Sequence, residues 1–148
     1  MKWTPTQYWM CTKNHVRIRP NGQRPNAGAN NVGSTLEDLI QAIDAFAAER
    51  DWDQFHTPKN LAGSILIESG ELLEVIQWDS PSFDELVLDQ RRSEKVKEEL
   101  ADILNYILRF CSLAGFNPIS IVSHKLKING QKYPVEKSKG SSKKYDEL

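Results

Sequence analysis

Residues 67–78 read IESGELLEVIQW. The stretch is apolar enough for a core helix, yet it carries Glu68, Glu71 and Glu74 at three-residue intervals. A carboxylate is rarely buried without a partner, so the spacing needs a cause. At about 100° per residue, Ile65, Leu72, Val75 and Ile76 fall on either side of Glu68. Glu68 therefore points into the apolar face. Glu71 lies at the border of that face with Trp78 projecting beside it, and Glu74 turns outward. Gly70 costs roughly 1 kcal/mol of helix propensity and leaves room for a neighbouring group or ligand close to the backbone.

A second stretch repeats the design. In SEKVKEELADILNYILRF (93–110), Val96, Ile103, Ile107 and Phe110 gather around Glu99. Asp102 lies at the border, Tyr106 between the two acids, and Glu98 further out. ExxE on one helix and ExxD on another would repel strongly if they met unneutralised. A hard divalent cation resolves the conflict, and Mg²⁺ commonly bridges carboxylates to substrate phosphates. No histidine stands at helical spacing from these glutamates, which argues against a Glu-x-x-His di-iron bundle and against zinc. One such pair is ordinarily a solvated helix edge. Two pairs in one domain, both intruding on apolar faces, weigh toward a site.

The surroundings predict an all-α fold. Ser34 and Glu37 form a candidate capping box for a helix running to about Arg50. Thr57–Pro58 opens a second helix to about Trp78, and SFDE (82–85) caps a short helix through Leu88. A third long helix runs from about Arg92 to Ala114, closed by Gly115. Asn117–Pro118 starts a fourth, ending near Asn129–Gly130. The expectation is an antiparallel bundle of four main helices plus a short one. Residues 34–134 are expected to make the helical domain that carries both acidic pairs. Residues 1–33, including the turn-rich NGQRPNAGANNVG (21–33), read as an arm or lid, and 135–148 as a polar basic tail.

Composition excludes several classes. The 148 residues fit one domain. A net charge of −1, with 26% charged residues, gives no global signal for a nucleic-acid polymer or a membrane surface. Locally, seven lysines and one glutamate lie between Lys125 and Lys144. That run is either a solvated tail or a means of gathering an anion. Two cysteines, Cys11 and Cys111, make neither a disulfide framework nor a zinc site, and Cys111 should pack as a small hydrophobe. No apolar run has spanning length and no secretory h-region is visible, so the expectation is a cytoplasmic protein. The terminal KKYDEL has Tyr145 where an ER-retention signal has lysine, and it is read as coincidence.

ESGE (68–71) followed by EELAD (98–102) resembles the MazG-like nucleoside triphosphate pyrophosphohydrolases, nearest the dCTP pyrophosphatase branch. FAAERDWDQFHTPKNL (46–61), GELLEVIQW (70–78), EELADILNYIL (98–108) and KINGQKYP (127–134) carry the likeness in order. The resemblance implies a homodimer or homotetramer. It implies Mg²⁺-dependent cleavage, with Mn²⁺ as a substitute, of a (deoxy)nucleoside triphosphate such as dCTP to the monophosphate and pyrophosphate. By motif match, Glu68, Glu71, Glu99 and Asp102 become metal ligands, and Glu71 is the candidate acceptor of the water proton. Trp52 and Trp78 match tryptophans lining the base site. His56, Tyr106, Lys125, Asn129 and Tyr133 match positions at the pocket or on the nucleotide. Two departures stand out. Ile43 replaces a base-reading histidine, and Gly130 and Gln131 stand where arginines follow the matched asparagine. The competing expectation is a non-catalytic helical dimerisation or nucleotide-sensing module.

Overall fold

A threonine–aspartate box begins the first helix. Thr35 accepts a hydrogen bond from the Asp38 amide (3.1 Å), and the Asp38 carboxylate accepts one from the Thr35 amide (3.2 Å). The cap lies one residue later than the expected Ser34–Glu37 pair. Both pairs have the same three-residue spacing, so local pattern cannot separate the two frames. The frame that forms keeps Glu37 exposed in the first turn, where its charge faces the helix N-terminus. The computed structural model describes Gly33 and residues 35–147. The expected arm at 1–33, with Cys11 in it, lies outside the described residues apart from Gly33.

The described residues are all-α, with no strand. Helix α1 (Leu36–Glu49) is followed by a 3-10 turn (Trp52–Phe55), then α2 (Pro58–Ile76), a short α3 (Phe83–Leu88) and the long α4 (Gln90–Ala114). Three caps were legible. Thr57 accepts from the Asn60 amide with Pro58 at the first helical position. Ser82 and Glu85 form a reciprocal box. Gly115 ends α4 in the left-handed region at φ 69°. One cap was not. Asp89 accepts from the Arg92 amide through its side chain (3.0 Å) and from the Ser93 amide through its carbonyl (2.8 Å), so α4 begins at Gln90 rather than Arg92. Helix α2 ends at Ile76, leaving Trp78 beyond it.

The chain divides into two compact units, the first ending at Leu113 and the second beginning at Ala114. In the first unit the buried residues come from three helices. They are Ala47 on α1, Leu61, Ser64 and Glu68 on α2, and Leu108, Arg109 and Cys111 on α4. Cys111 packs as a small buried group, and burial raises its thiol pKa. The apolar surface is only partly covered. Leu66 and Leu73 on α2, and Leu100, Leu104 and Ile107 on α4, are exposed. Among the described residues, nothing outside the local helix backbone and chain neighbours lies within 4 Å of a Cβ built on Gly70, so none of them makes the close approach expected there.

The second unit contains α5 (Pro118–Lys132), α6 (Val135–Ser138) and a 3-10 turn (Tyr145–Glu147). Asn117 caps α5 by accepting from the Ser120 amide (2.9 Å). Helix α5 continues past the expected stop near Asn129–Gly130 because Gly130 keeps a helical conformation. The tail carries structure of its own. Tyr145 packs edge-to-face on Tyr133 at 6.1 Å, and the Lys132 ammonium sits 4.7 Å from the Tyr145 ring.

Leu61 is 2% exposed and has no polar role. Leu61→Ala should lower stability by about 3 kcal/mol, read as a shifted urea midpoint with an unchanged slope.

Candidate active site

Helix α2 presents Glu68 and Glu71 one turn apart, and α4 presents Glu99. One carboxylate oxygen from each lies within 4.8 Å of the other two. Glu68 is 4% exposed, while Glu71 and Glu99 are half-buried. The wheel of each helix anticipated this order, with Glu68 inward and Glu71 at the border. Asp102 stands outside that threesome and is exposed. Even so, its charge raises the pKa of both Glu68 and Glu99.

The electrostatics follow from this placement. Burial, then the charges of Glu71, Asp102 and Glu99, push the Glu68 carboxyl up to about 7 from an ordinary 4.5. Burial, then the charges of Glu71, Asp102 and Glu98, also raise Glu99, opposed by the Lys95 ammonium one turn away. Oxygen-only ligands from two rigid helices, crowded enough to hold back a proton, fit a hard divalent cation. They do not fit zinc, which favours nitrogen and sulfur.

Beside the carboxylates opens a cleft of about 650 Å³ between the second half of α2 and the first half of α4. Glu71 and Glu74 line it from α2, and Arg91, Arg92, Lys95 and Glu99 line it from α4. Arg92 is held by Asp79 (2.9 Å) and Asp89 (3.7 Å). Neither Arg91 nor Lys95 has a carboxylate partner within 4 Å among the described residues. Glu74, expected to be outside the site, is exposed and lines the same cleft.

The aromatic candidates separate. Trp52 lies in the 3-10 turn, half-buried and edge-to-face with Phe46 at 5.7 Å. The Arg50 guanidinium covers the Phe46 ring at 3.5 Å. Tyr106 is half-buried on α4, four residues after Asp102 and so on the same face. Trp78 is 90% exposed and lies two residues beyond the end of α2. Lys125, Asn129 and Tyr133 belong to the second unit. There Lys125 is exposed, and the Asn129 carbonyl accepts from the Tyr133 amide at 2.8 Å.

A second polar centre was not anticipated from the sequence. Arg109 is 4% exposed. Its Nη1 donates to Asp44 Oδ1 (2.5 Å), its Nη2 to Asp53, and its Nε to His56 Nδ1 (2.9 Å). Ser112 Oγ donates to the other Asp44 oxygen (2.5 Å). Burial, then the Arg109 charge, lowers His56 to about 4. The imidazole is therefore neutral near pH 7, and because Nδ1 accepts, its proton sits on Nε2. A signal was available. Asp44 interrupts the Ile40–Ile43–Ala47 stripe, and Arg109 interrupts ILRFC, so each apolar face carried one charge of opposite sign.

The comparisons with known proteins agree with one another. The model of the MazG-like family matches residues 64–148. The dCTP pyrophosphatase 1 of Homo sapiens is 38% identical over 116 residues, covering 77% of this chain and 68% of that protein. The Rattus norvegicus protein of the same name is 38% identical over 115 residues, with the same coverage. A pyrophosphatase from Archaeoglobus fulgidus aligns with a TM-score of 0.61 at 45% identity, covering 67% of this chain and 92% of that one.

The Glu68 shift sets a pH dependence. Between 4.5 and about 7 the folded metal-free chain keeps a proton that the unfolded chain has released. Its contribution to stability is present below that window and is lost as pH rises through it. Metal-free protein should therefore show a larger fall in urea midpoint between about pH 5 and about pH 8 than Glu68→Gln does. Equal falls in the two proteins would refute the assignment.

Proposed function

This chain belongs to the MazG-like family and is a nucleotide pyrophosphatase; from that premise we propose that it cleaves a deoxynucleoside triphosphate, dCTP or a close relative, with Mg²⁺. The products are the nucleoside monophosphate and pyrophosphate, so water adds at phosphorus and the α–β phosphoanhydride bond breaks. The observation that carries the proposal is the meeting of Glu68, Glu71 and Glu99 within 4.8 Å, beside a cleft that Arg91 and Lys95 also line. Neither half of that arrangement suits a purely structural face. The acids repel one another, and two of the cations have no acid to pair with among the described residues.

A divalent cation held by these residues would offset the acids' mutual repulsion and supply Lewis-acid activation of the phosphate and of a water. Glu68, Glu71, Glu99 and Asp102 are the proposed ligands. Mg²⁺ is favoured over softer metals because every donor is a carboxylate oxygen, and Mn²⁺ is the expected substitute. Glu71, half-buried at the cleft wall, is the proposed acceptor of the proton from the attacking water. Lys95 and Arg91 supply positive charge for the leaving pyrophosphate, whose negative charge grows as the bond breaks. Trp52 is the proposed stacking face for the base, because an indole accepts any base by its π-face. Trp78, His56, Tyr106, Lys125, Asn129 and Tyr133 are proposed contacts with the nucleotide or its pocket. Base preference is then set by polar contacts beyond stacking, and Ile43 offers no donor or acceptor for them.

A homodimer or homotetramer completes the proposal. The exposed leucines at 66, 73, 100 and 104, with Ile107, repeat at helical spacing on α2 and α4. Contiguous apolar surface of this kind marks an interface, and a second copy of the same helical surface is its proposed cover.

With Mg²⁺, purified protein should release pyrophosphate from dCTP faster than from the other three dNTPs. Glu68→Ala and Glu99→Ala should each lower kcat/KM by at least about 100-fold, since even outer partners of metal ligands matter 10–100-fold. Mg²⁺ should also raise the melting temperature of wild type but not of Glu68→Ala. Intact dNTPs together with a melting temperature indifferent to Mg²⁺ would favour a non-catalytic module instead. Separately, light scattering should find a dimer or tetramer that Leu73→Glu with Leu104→Glu converts to monomer. A wild-type monomer would remove the oligomer from the proposal.

A further inference from the structure

Arg109 contacts none of the carboxylates of the metal cluster, yet α4 aligns it with them. Glu99, Asp102, Tyr106 and Arg109 follow one another at spacings of three, four and three, which keeps all four on one stripe of the helix. Asp102 and Arg109 are seven residues apart, or about 10 Å along the axis. The helix therefore holds the guanidinium at a set distance from the acidic site.

The three donors of that guanidinium reach one continuous segment. Nη1 binds Asp44 in the last half of α1, Nη2 binds Asp53 in the 3-10 turn, and Nε binds His56 just after it. Between these anchors the chain reverses through Asp51, which takes the left-handed conformation at φ 54°. Trp52 stands between Asp51 and Asp53, so two residues on either side of the indole are conformationally fixed. On the other side Phe46 meets its ring edge-to-face. A planar guanidinium with a rigid fork of donors suits this task, whereas an ammonium can present only a point charge.

We infer that Arg109 is a positioning residue, which with Asp44, Asp53 and His56 fixes the Trp52 turn relative to the carboxylate site so that the indole forms a preset wall for the base. The inference rests on the nucleotide reading above and deepens it. It assigns a purpose to a buried charged centre that neither binds metal nor lines the phosphate cleft. Lost preorganisation at the base would weaken nucleotide binding without altering the bond-breaking step. A ligand lacking a base would not register the change.

The test compares wild type, Asp53→Ala, Arg109→Lys, Trp52→Ala and the double variant Trp52→Ala/Asp53→Ala. Kinetics with dCTP and Mg²⁺ are read beside inhibition by pyrophosphate, which carries no base. Asp53 is exposed, so its variant keeps the test open if Arg109→Lys fails to fold. Asp53→Ala and Arg109→Lys should raise KM about tenfold with kcat within about twofold, the pattern of lost binding rather than lost chemistry. The inhibition constant of pyrophosphate should not move. In the Trp52→Ala background, Asp53→Ala should raise KM no further, since both act through one indole. The inference is overturned if KM stays at the wild-type value in Asp53→Ala. It also falls if pyrophosphate inhibition weakens in step with KM, or if the two KM effects multiply in the double variant. Wild type that cleaves no nucleotide overturns the functional reading and this inference together. Active wild type with unaffected variants overturns this one alone.

Discussion

Mutual repulsion among Glu68, Glu71 and Glu99, held within 4.8 Å by two helices, is the constraint around which the first unit is arranged. A carboxylate at 4% exposure among like charges is destabilising in the metal-free chain, and the protein answers by holding a proton on Glu68 up to about pH 7. Those three carboxylates could hold a metal ion. Helices are what make the crowding sustainable, because their backbone hydrogen bonds are satisfied internally and do not yield to side-chain repulsion.

A scaffold with strain at one place needs rigidity nearby, and Arg109 supplies it. The two centres share α4 and have opposite characters. At one, acids face acids and leave a place for an external charge. At the other, a buried guanidinium meets two aspartates and a neutral imidazole, and its donors are used within the chain. Between them lies Tyr106. In the proposed reading the second centre sets the indole of Trp52 and the indole serves the first, which links the Arg109–Asp44 contact between α4 and α1 to the binding of a base.

Legibility followed local period. The inward turn of Glu68, the border position of Glu71 and the caps at Thr57, Ser82 and Asn117 follow from spacings of three and four, and these hold wherever a helix forms. Errors came where two local patterns were equally good, or where helix length mattered. Thr35–Asp38 and Ser34–Glu37 have identical spacing. The second helix was expected to reach Trp78, and α2 stops at Ile76. Asp89 went unnoticed as a cap because the short helix before it obscured the start of α4. The sidedness of α4 was only half visible. Ile107 groups with the apolar residues around Glu99 on the wheel and yet is exposed.

The sequence by itself determined that the chain is helical and that two helices carry acids on their apolar edges, a pattern that a hard cation would reconcile. Periodicity decides these points because a side chain's direction on a helix is a local property. The tertiary structure alone decided that Glu68, Glu71 and Glu99 converge while Asp102 stands slightly apart, and that Arg91 and Lys95 share a cleft with them. It alone joined Asp44, Asp53 and His56 to an arginine more than fifty residues away. Such pairings depend on the relative placement of whole helices, which is settled by the fit of their faces and not by any local spacing.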